Sequence, residues 1–454
     1  MSSENPVYAV ISQGCAANFG EGEQIARALS ARHPGCKILF RLPEAKTAQE
    51  SHAAQEEARS SFTAQEAPDS IYLNVCTVKG NAGALKLLRT ASEMFPGIPL
   101  FITGCTPKDF REEALKIAPQ VIFTSLKEIA PLEQNEASAT ESMDAIVGPS
   151  TLRETPYVGI VNIEEGCLDA CAFCSTHLVK GRLRSFAPEG IVKQVADLVN
   201  DGCLEIQLTG QDCACYGFDT GTNLAELTQR ILVHVPGNYR LRLGMGNPRH
   251  MIRYADSLLD CFRDERVYKF VHVPVQSGSD RTLKAMNRRH TAEDFRKIAR
   301  MFNTEFSRFT LSTDIIVGFP GETDDDFAET MRLLEETRPT VCNITRFVAR
   351  PGTPAARMEQ DASLRVPDAV KHERSAILFD AFQKIAQENN SLWIGDTCDV
   401  VVEKPGHRAG TTIARNEAYR PVALAGDIPA GSRLTVRITG AEAFALLSDR
   451  SFVV

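Results

Sequence analysis

The chain has 454 residues, 43% hydrophobic and 24% charged, the balance of an ordinary globular protein of about two to four domains. No apolar run approaches the roughly 20 residues that span a bilayer, and a net charge of −8 excludes a globally basic face for nucleic acid. The 13 cysteines are an odd number, and the N-terminal MSSEN lacks the basic and apolar regions of a signal peptide. The cytoplasm is the expected compartment. Thiols stay reduced there, so metal or cluster ligation is expected for some of them rather than disulfides.

In chain order, Val7–Ser12 predicts a buried strand, and apolar residues at helical spacing predict a helix over Gly20–Ala31. Ile71–Val75 and Leu100–Thr103 predict two more strands, with a helical pattern over Asn81–Met94 between them. Such alternation implies α/β architecture, a parallel sheet with helices on its faces. The stretch QESHAAQEEARSSFTAQEA within Arg41–Ser70 predicts an exposed helical or disordered insertion. Gln134–Ser150 is a polar linker that closes a first domain at residues 1–135.

From Tyr157 the alternation restarts. Strands are expected near 158–163, 204–209, 240–245, 268–274, 310–317 and 341–347. Helices are expected over Gly190–Asn200, Leu224–Val235, Thr291–Phe302 and Asp324–Glu336. A closed eight-unit barrel takes about 250 residues. Six strand–helix units over residues 151–387 therefore predict a partial, open (β/α)6 barrel, with Val366–Asn390 as its last helix. After Trp393, Thr397–Glu403, Thr411–Arg415, Pro421–Ala425 and Ser432–Thr439 are strand-like pieces between Gly and Pro turns. They predict a small all-β barrel over residues 388–454.

Cys167-x-x-x-Cys171-x-x-Cys174 follows the apolar run Tyr157–Ile163, in a loop opened by Gly166. Three thiolates on one loop suit three irons of a [4Fe–4S] cube and leave the fourth iron open. An open iron can chelate the amino and carboxylate groups of S-adenosylmethionine (SAM), whose reductive cleavage releases a carbon radical. The alternatives are three chance cysteines or a structural zinc, which wants four protein ligands. No nearby fourth Cys or well-spaced His is evident.

Cys15, Cys76 and Cys105 each follow a predicted strand directly, in VYAVISQGC, IYLNVC and LFITGC. Ligands of open parallel sheets bind beyond the carboxyl ends of the strands. The three thiols are thus expected at one edge, as ligands of a second cluster. The alternative is buried free cysteines. Cys36, Cys203, Cys261, Cys342 and Cys398 read as packing, and so do Cys213 and Cys215, although these two lie just past a barrel strand.

Several further segments carry a resemblance: HVPVQSGSDRTLKAM at 272–286, TDIIVGFPGETDDDF at 313–327 and RPGTPAARM at 350–358. With the cysteine sets, they make nearly the whole chain similar to the radical SAM methylthiotransferases. VCTVK at 75–79, LTGQDCACYGFDTGTNL at 208–224 and RLGMGNP at 242–248 resemble the archaeal and eukaryotic branch. That branch acts on N6-threonylcarbamoyladenosine (t6A) at position 37 of tRNA.

The resemblance implies an N-terminal methylthiotransferase domain, a radical SAM partial barrel and a C-terminal TRAM-like barrel. It implies two [4Fe–4S] clusters and two SAM molecules. One SAM would methylate a sulfur on the N-terminal cluster, and the other would give the 5′-deoxyadenosyl radical that takes hydrogen from C2 of the adenine. The partner is then the tRNA anticodon loop, with no membrane. The Arg41–Ser70 stretch and Cys213/Cys215 depart from the branch's pattern. Isopentenyladenosine in tRNA, a ribosomal-protein aspartate, or a non-catalytic iron–sulfur or RNA-binding role are the alternatives.

Barrel active sites gather at the carboxyl ends of the strands. For SAM this points to Gly210 and Gln211 after the second strand, Gln276 and Ser277 after the fourth, and Ile316 and Gly318 at the fifth. Phe173 in the cysteine loop is placed to pack on the adenine. His272 reads as a satisfied core histidine, and Asp324–Asp326 as helix N-terminal acids. Lys180, Arg182 and Arg184 are candidate phosphate contacts or a solvated face. The C-terminal barrel is not basic overall; its candidate RNA contacts are Lys404, His407, Arg408, Arg415 and Arg420.

Overall fold

A computed structural model describes residues 5–42, 67–77, 81–129 and 152–449. Most of the expected 41–70 insertion, the Gln134–Ser150 linker, and Val78 and Lys79 of the VCTVK segment lie outside the described residues.

The first sheet contains β1 (Val7–Ser12), β2 (Lys37–Leu39), β3 (Ser70–Val75), β4 (Leu100–Gly104) and β5 (Ile122–Phe123). All pairs are parallel, in the order β2-β1-β3-β4-β5. Side chains alternate across a strand, and β1 shows why both faces need helices. Ala9 and Ile11 pack with the helices Ala82–Met94 and Lys108–Ile117, through Leu88 and Phe110. Tyr8 and Val10 pack with Ile25 and Leu29 of the helix Ala16–Arg32. The strand order reverses between β1 and β3, the place where doubly wound sheets open a crevice at their carboxyl ends. Cys15 and Cys76 follow those two strands.

The second unit begins with β6 (Val158–Asn162), followed by a two-stranded ribbon of β7 (Glu164–Glu165) and β8 (Arg184–Ser185). Then come β9 (Glu205–Thr209), β10 (Arg240–Leu243), β11 (Phe270–His272), β12 (Thr310–Val317) and β13 (Val341–Arg346). They form two parallel sheets, β6-β9-β10 and β11-β12-β13, joined by a bridge between Leu241 and Val267. The six strands thus run in sequence order as an open barrel over one large apolar core. β11 is shorter than the expected 268–274, and at its carboxyl end Pro274 has no N–H to extend the ladder. The helix Asp368–Ser391 closes the unit and runs past residue 387.

The last six strands are β14 (Thr397–Pro405), β15 (Thr411–Arg415), β16 (Pro421–Ala425), β17 (Arg433–Arg437), β18 (Gly440–Ala441) and β19 (Leu446–Ser448). They form one curled sheet in the order β17-β14-β15-β16-β19-β18 around Trp393, Val402 and Leu446. Two strands more than expected are present, since β18 and β19 are too short to show a period in the sequence.

This sheet is seated at the amino ends of the barrel strands, opposite the cysteine loop. The β15–β16 turn carries Tyr419, whose hydroxyl donates to Glu205 at 3.2 Å, while Arg242 stacks over its ring at 4.9 Å. Thr310 donates to the Ala418 carbonyl at 2.7 Å. Arg420, buried at 5% exposure, binds Asn390 and donates to the Phe309 carbonyl at 2.9 Å and Thr340 at 3.0 Å. Its expected RNA contact is therefore corrected to a structural role. Arg420→Ala should lower stability by about 3 kcal/mol, because several buried acceptors lose their donor at once. Thermal unfolding checks this; a loss below about 1 kcal/mol would leave the docking role unsupported.

Candidate functional site

The N-terminal thiols meet at the carboxyl edge of the first sheet. Gly14 (φ +113°) turns the chain from β1 so that Cys15 reaches Cys76; a Cβ on Gly14 would lie 2.2 Å from the Cys76 Cβ. Only glycine fits such a turn and such a contact. Cys76 exchanges hydrogen bonds with both Cys15 and Cys105, raising the pKa of the Cys15 thiol and lowering that of Cys105. The three sulfurs are therefore neighbours, as the shared strand-then-Cys context predicts. Cys15 is exposed and Cys105 buried.

The radical-loop cysteines sit at the carboxyl mouth of the barrel. Gly166 (φ +84°) opens the loop, with its backbone so close to Arg182 that a Cβ would meet the Arg182 carbonyl oxygen at 2.1 Å. Gln211 accepts from the Gly166 N–H at 2.7 Å, so one expected cofactor residue pins the loop's entry. The Asp169 N–H donates to Cys167 Sγ at 3.4 Å, and Arg288 Nη1 donates to Cys171 Sγ at 3.4 Å. Burial pushes the Cys171 thiol up to about 11, with Arg288 pulling the other way. Cys167, Cys171 and Cys174 are all half-buried.

Asp169, between the first two loop cysteines, is the strut that sequence reading missed. Its carboxylate accepts from Asn247 Nδ2 at 2.7 Å, faces His250 Nε2 at 2.9 Å and pairs with Arg249. Burial opposes its charge, but His250 and Arg249 outweigh it and hold the carboxyl at about 2. The sequence signal was the RLGMGNP segment, which starts at the end of β10 and carries Asn247. Asp169→Asn should cost about 1–2 kcal/mol, since it weakens the charged hydrogen bonds to the half-exposed Arg249 and the buried His250. Faster iron release from the loop should accompany it, read by chelator challenge; an unchanged release rate would remove the strut role.

The other expected cofactor residues fall around this mouth in different ways. Phe173 and Ile316 are brought together against Met286, Phe319 and Phe347. Gly210 lies on Glu164, whose Oε1 would be 2.4 Å from an added Cβ. The open side of Gly318 faces Lys371, with its Cγ 2.3 Å from an added Cβ. Gln276 takes a positive φ of 77° in the gap between β11 and β12. Ser277 turns inward: its hydroxyl meets Thr330 Oγ1 at 3.2 Å and accepts from the Ser279 N–H at 3.2 Å.

Lys180 couples the two cysteine sets. It follows the radical loop in the helix Thr176–Lys180, yet pairs with Glu21 of the helix Ala16–Arg32. Its ammonium also acts on the Cys105 thiol, helping to lower that pKa. Its expected place on a solvated or phosphate-binding face is thus corrected. Arg184 pairs with Glu165 at 3.2 Å, and Arg415 with Glu403 at 2.8 Å. His272 meets Asp314 at 3.1 Å, as a satisfied histidine should. Thr323 and Asp326 form a capping box, so Asp326 serves a helix start.

An open parallel barrel with a three-cysteine loop at its mouth defines a radical SAM enzyme, and residues 161–334 match the family model described as Radical SAM superfamily. A solved structure of the radical SAM methyltransferase TsrM from Kitasatospora setae shares the fold, with a TM-score of 0.53 at 13% identity over 77% of each chain. More specific are the curated relatives named probable threonylcarbamoyladenosine tRNA methylthiotransferase. That of Pyrococcus horikoshii is 35% identical over 79% of this chain and 85% of its own length. That of Archaeoglobus fulgidus is 43% identical over 61% of this chain and 64% of its own length. The Homo sapiens protein, named threonylcarbamoyladenosine tRNA methylthiotransferase, is 32% identical over 90% of this chain and 68% of its own length. The chain belongs to the threonylcarbamoyladenosine tRNA methylthiotransferase family. Among the described residues, no helix is long and apolar enough to cross a membrane.

Proposed function

We propose that this enzyme inserts a methylthio group at C2 of t6A37 in the tRNA anticodon loop, in the cytoplasm, using two [4Fe–4S] clusters. The observation that carries the reading is the pairing of two thiol trios, each at the carboxyl edge of its own parallel sheet, linked by Lys180. Residues 1–135 would be the methylthiotransferase domain, 151–387 the radical SAM barrel and 388–454 the TRAM-like RNA-binding barrel.

The donor sets suit the groups. Thiolates are the usual ligands of such clusters, and hydrogen bonds to their sulfurs tune them. Arg288 and the Asp169 N–H supply such bonds at the loop, and Lys180 places a cation beside Cys105. Cys167, Cys171 and Cys174 would hold one cluster, and Cys15, Cys76 and Cys105 the other. When bound, the loop cluster with SAM supplies the radical that removes hydrogen from C2 of the adenine, and the second cluster holds the sulfur. Gln211 keeps the loop entry in place through Gly166. Phe173 and Ile316 form an apolar wall that suits an adenine ring and keeps water from the mouth. Gly210, Gln276 and Gly318 complete the proposed SAM pocket at the strand ends, and Ser277 holds the turn behind it through Thr330.

Mass spectrometry of tRNA nucleosides from a deletion strain tests the substrate. Methylthio-t6A should vanish and return with the parental gene; loss of a methylthio-isopentenyladenosine instead would overturn the t6A reading. The C-terminal sheet is best tested by point variants, because truncation after Gln387 would also uncover the amino ends of the barrel. Lys404, His407 and Arg408 are exposed on the β14–β15 hairpin. A Lys404→Ala/His407→Ala/Arg408→Ala variant should bind tRNA about tenfold more weakly at matched salt. Unchanged affinity would remove this face from the RNA path.

A further inference from the structure

Two buried ligand atoms with no part in the reaction described above stand beside the loop cysteine Cys167. Cys215 lies on the short turn Cys213–Cys215 after β9 and is fully buried. Its sulfur, the Cys167 sulfur and an Asp212 carboxylate oxygen all lie within 4.8 Å of one another. This is the spacing of a single tetrahedral ion rather than a cube. Metal–thiolate bonds of about 2.3 Å put two sulfurs on one zinc about 3.8 Å apart, whereas each thiolate of a cube binds its own iron.

Two buried carboxyl groups also stand at this point, where burial favours their neutral form unless a cation is bound. Glu164 and Asp212 are 2% and 5% exposed and stand side by side. Glu164 accepts from the Asp212 N–H at 2.7 Å and from Cys215 Sγ at 3.5 Å. Asp212 Oδ1 accepts from the Asn247 N–H at 2.9 Å, while Oδ2 has His250 Nε2 at 3.9 Å. Among the described residues no Lys or Arg is ion-paired with either carboxylate. Buried charges are normally paired or bound to a metal. Two thiols with a carboxylate select a thiophilic divalent ion and leave its fourth position to water.

We infer that, in the chain lacking its loop cluster, Cys167, Cys215 and Asp212 bind one thiophilic divalent cation such as Zn2+. The ion displaces the two thiol protons to solvent, forms two metal–sulfur bonds and changes no oxidation state. It excludes the loop cluster, because both take Cys167. That second statement rests on the cluster assignment above; the binding of the ion does not.

Co2+ is the probe, added without oxygen to the full-length, cluster-free chain. Cys15, Cys76 and Cys105 are replaced by Ala so that only the barrel thiols respond. This protein should show cobalt–thiolate charge-transfer absorption and the visible bands of tetrahedral Co2+. Cys215→Ser should weaken binding by at least about tenfold, as loss of a ligand exceeds outer-shell effects. Cys213→Ser, whose sulfur lies outside the group, should bind like the parent. Equal affinity and spectrum in Cys215→Ser would put the ion on the loop thiols and overturn the site. If Cys215→Ser fails to fold, X-ray absorption of the Co2+-loaded parent decides: two sulfurs with oxygens support the site, and three sulfurs overturn it. For exclusion, Zn2+ added before reconstitution should block iron uptake in the parent far more than in Cys215→Ser. An equal block in both would overturn the exclusion while leaving the cluster assignment standing.

Discussion

Replacing Cys167, Cys171 or Cys174 by Ala is expected to cut 5′-deoxyadenosine formation by more than about a hundredfold, beyond what outer-shell changes cause. The three thiols share one short loop whose entry is held by Gly166 and Gln211 and whose middle is held by Asp169. That loop holds no fourth cysteine, and a cluster short of a thiolate is lost or displaced. The measurement is 5′-deoxyadenosine released from SAM under a strong reductant after iron–sulfur reconstitution. A parental rate in any of the three variants would remove the loop from the radical chemistry. Cys167→Ala has a second consequence, since it should also abolish the Co2+ site shared with Cys215.

A Cys15→Ala/Cys76→Ala/Cys105→Ala variant is expected to separate the two halves of the reaction. It should bind about half the parental iron, since one of two four-iron groups loses all its thiolates. It should still release 5′-deoxyadenosine, because the barrel loop has its own ligands on a different sheet. It should form no methylthio-adenosine. If these thiols only packed the N-terminal core, alanine would cost modest stability and leave the modification intact. Packing is a poor account of Cys15, which is exposed. Iron content, 5′-deoxyadenosine and modified nucleoside should be measured on one preparation. Full iron with intact methylthiolation would sink the two-cluster reading.

The strands were legible because burial writes a period into them. Val7–Ser12 and Thr310–Val317 are rich in apolar and β-branched residues, with only Ser12, Ser312 and Asp314 outside those classes, and both strands fall on the expected ranges. The short ribbon Glu164–Glu165 with Arg184–Ser185 was not legible, because two residues carry no period and the pairing partner is far along the chain. The cysteines were legible through context: three follow strands, and three share one loop. Asp169, Asp212, Asn247 and His250 were not, since single polar residues in loops look alike until folding brings them together. Lys180 and Arg420 were misread for the same reason. A basic side chain shows its charge in the sequence but not its partner.

The sequence by itself therefore determined the kind of chemistry and the order of the building blocks. Thiol spacing, strand–helix alternation and the change to short strands after Trp393 are local properties, set by ligand reach and by the periods of buried strands and helices. Tertiary structure alone decided what those thiols meet. It set Cys76 between Cys15 and Cys105, carried Lys180 from the barrel loop to Glu21, and seated Tyr419 and Arg420 at the amino ends of the barrel strands. It also placed Cys215, which reads as ordinary packing in the chain, beside Cys167 and Asp212. Such encounters depend on which strand ends share an edge, and that is fixed only when the sheets close around their cores.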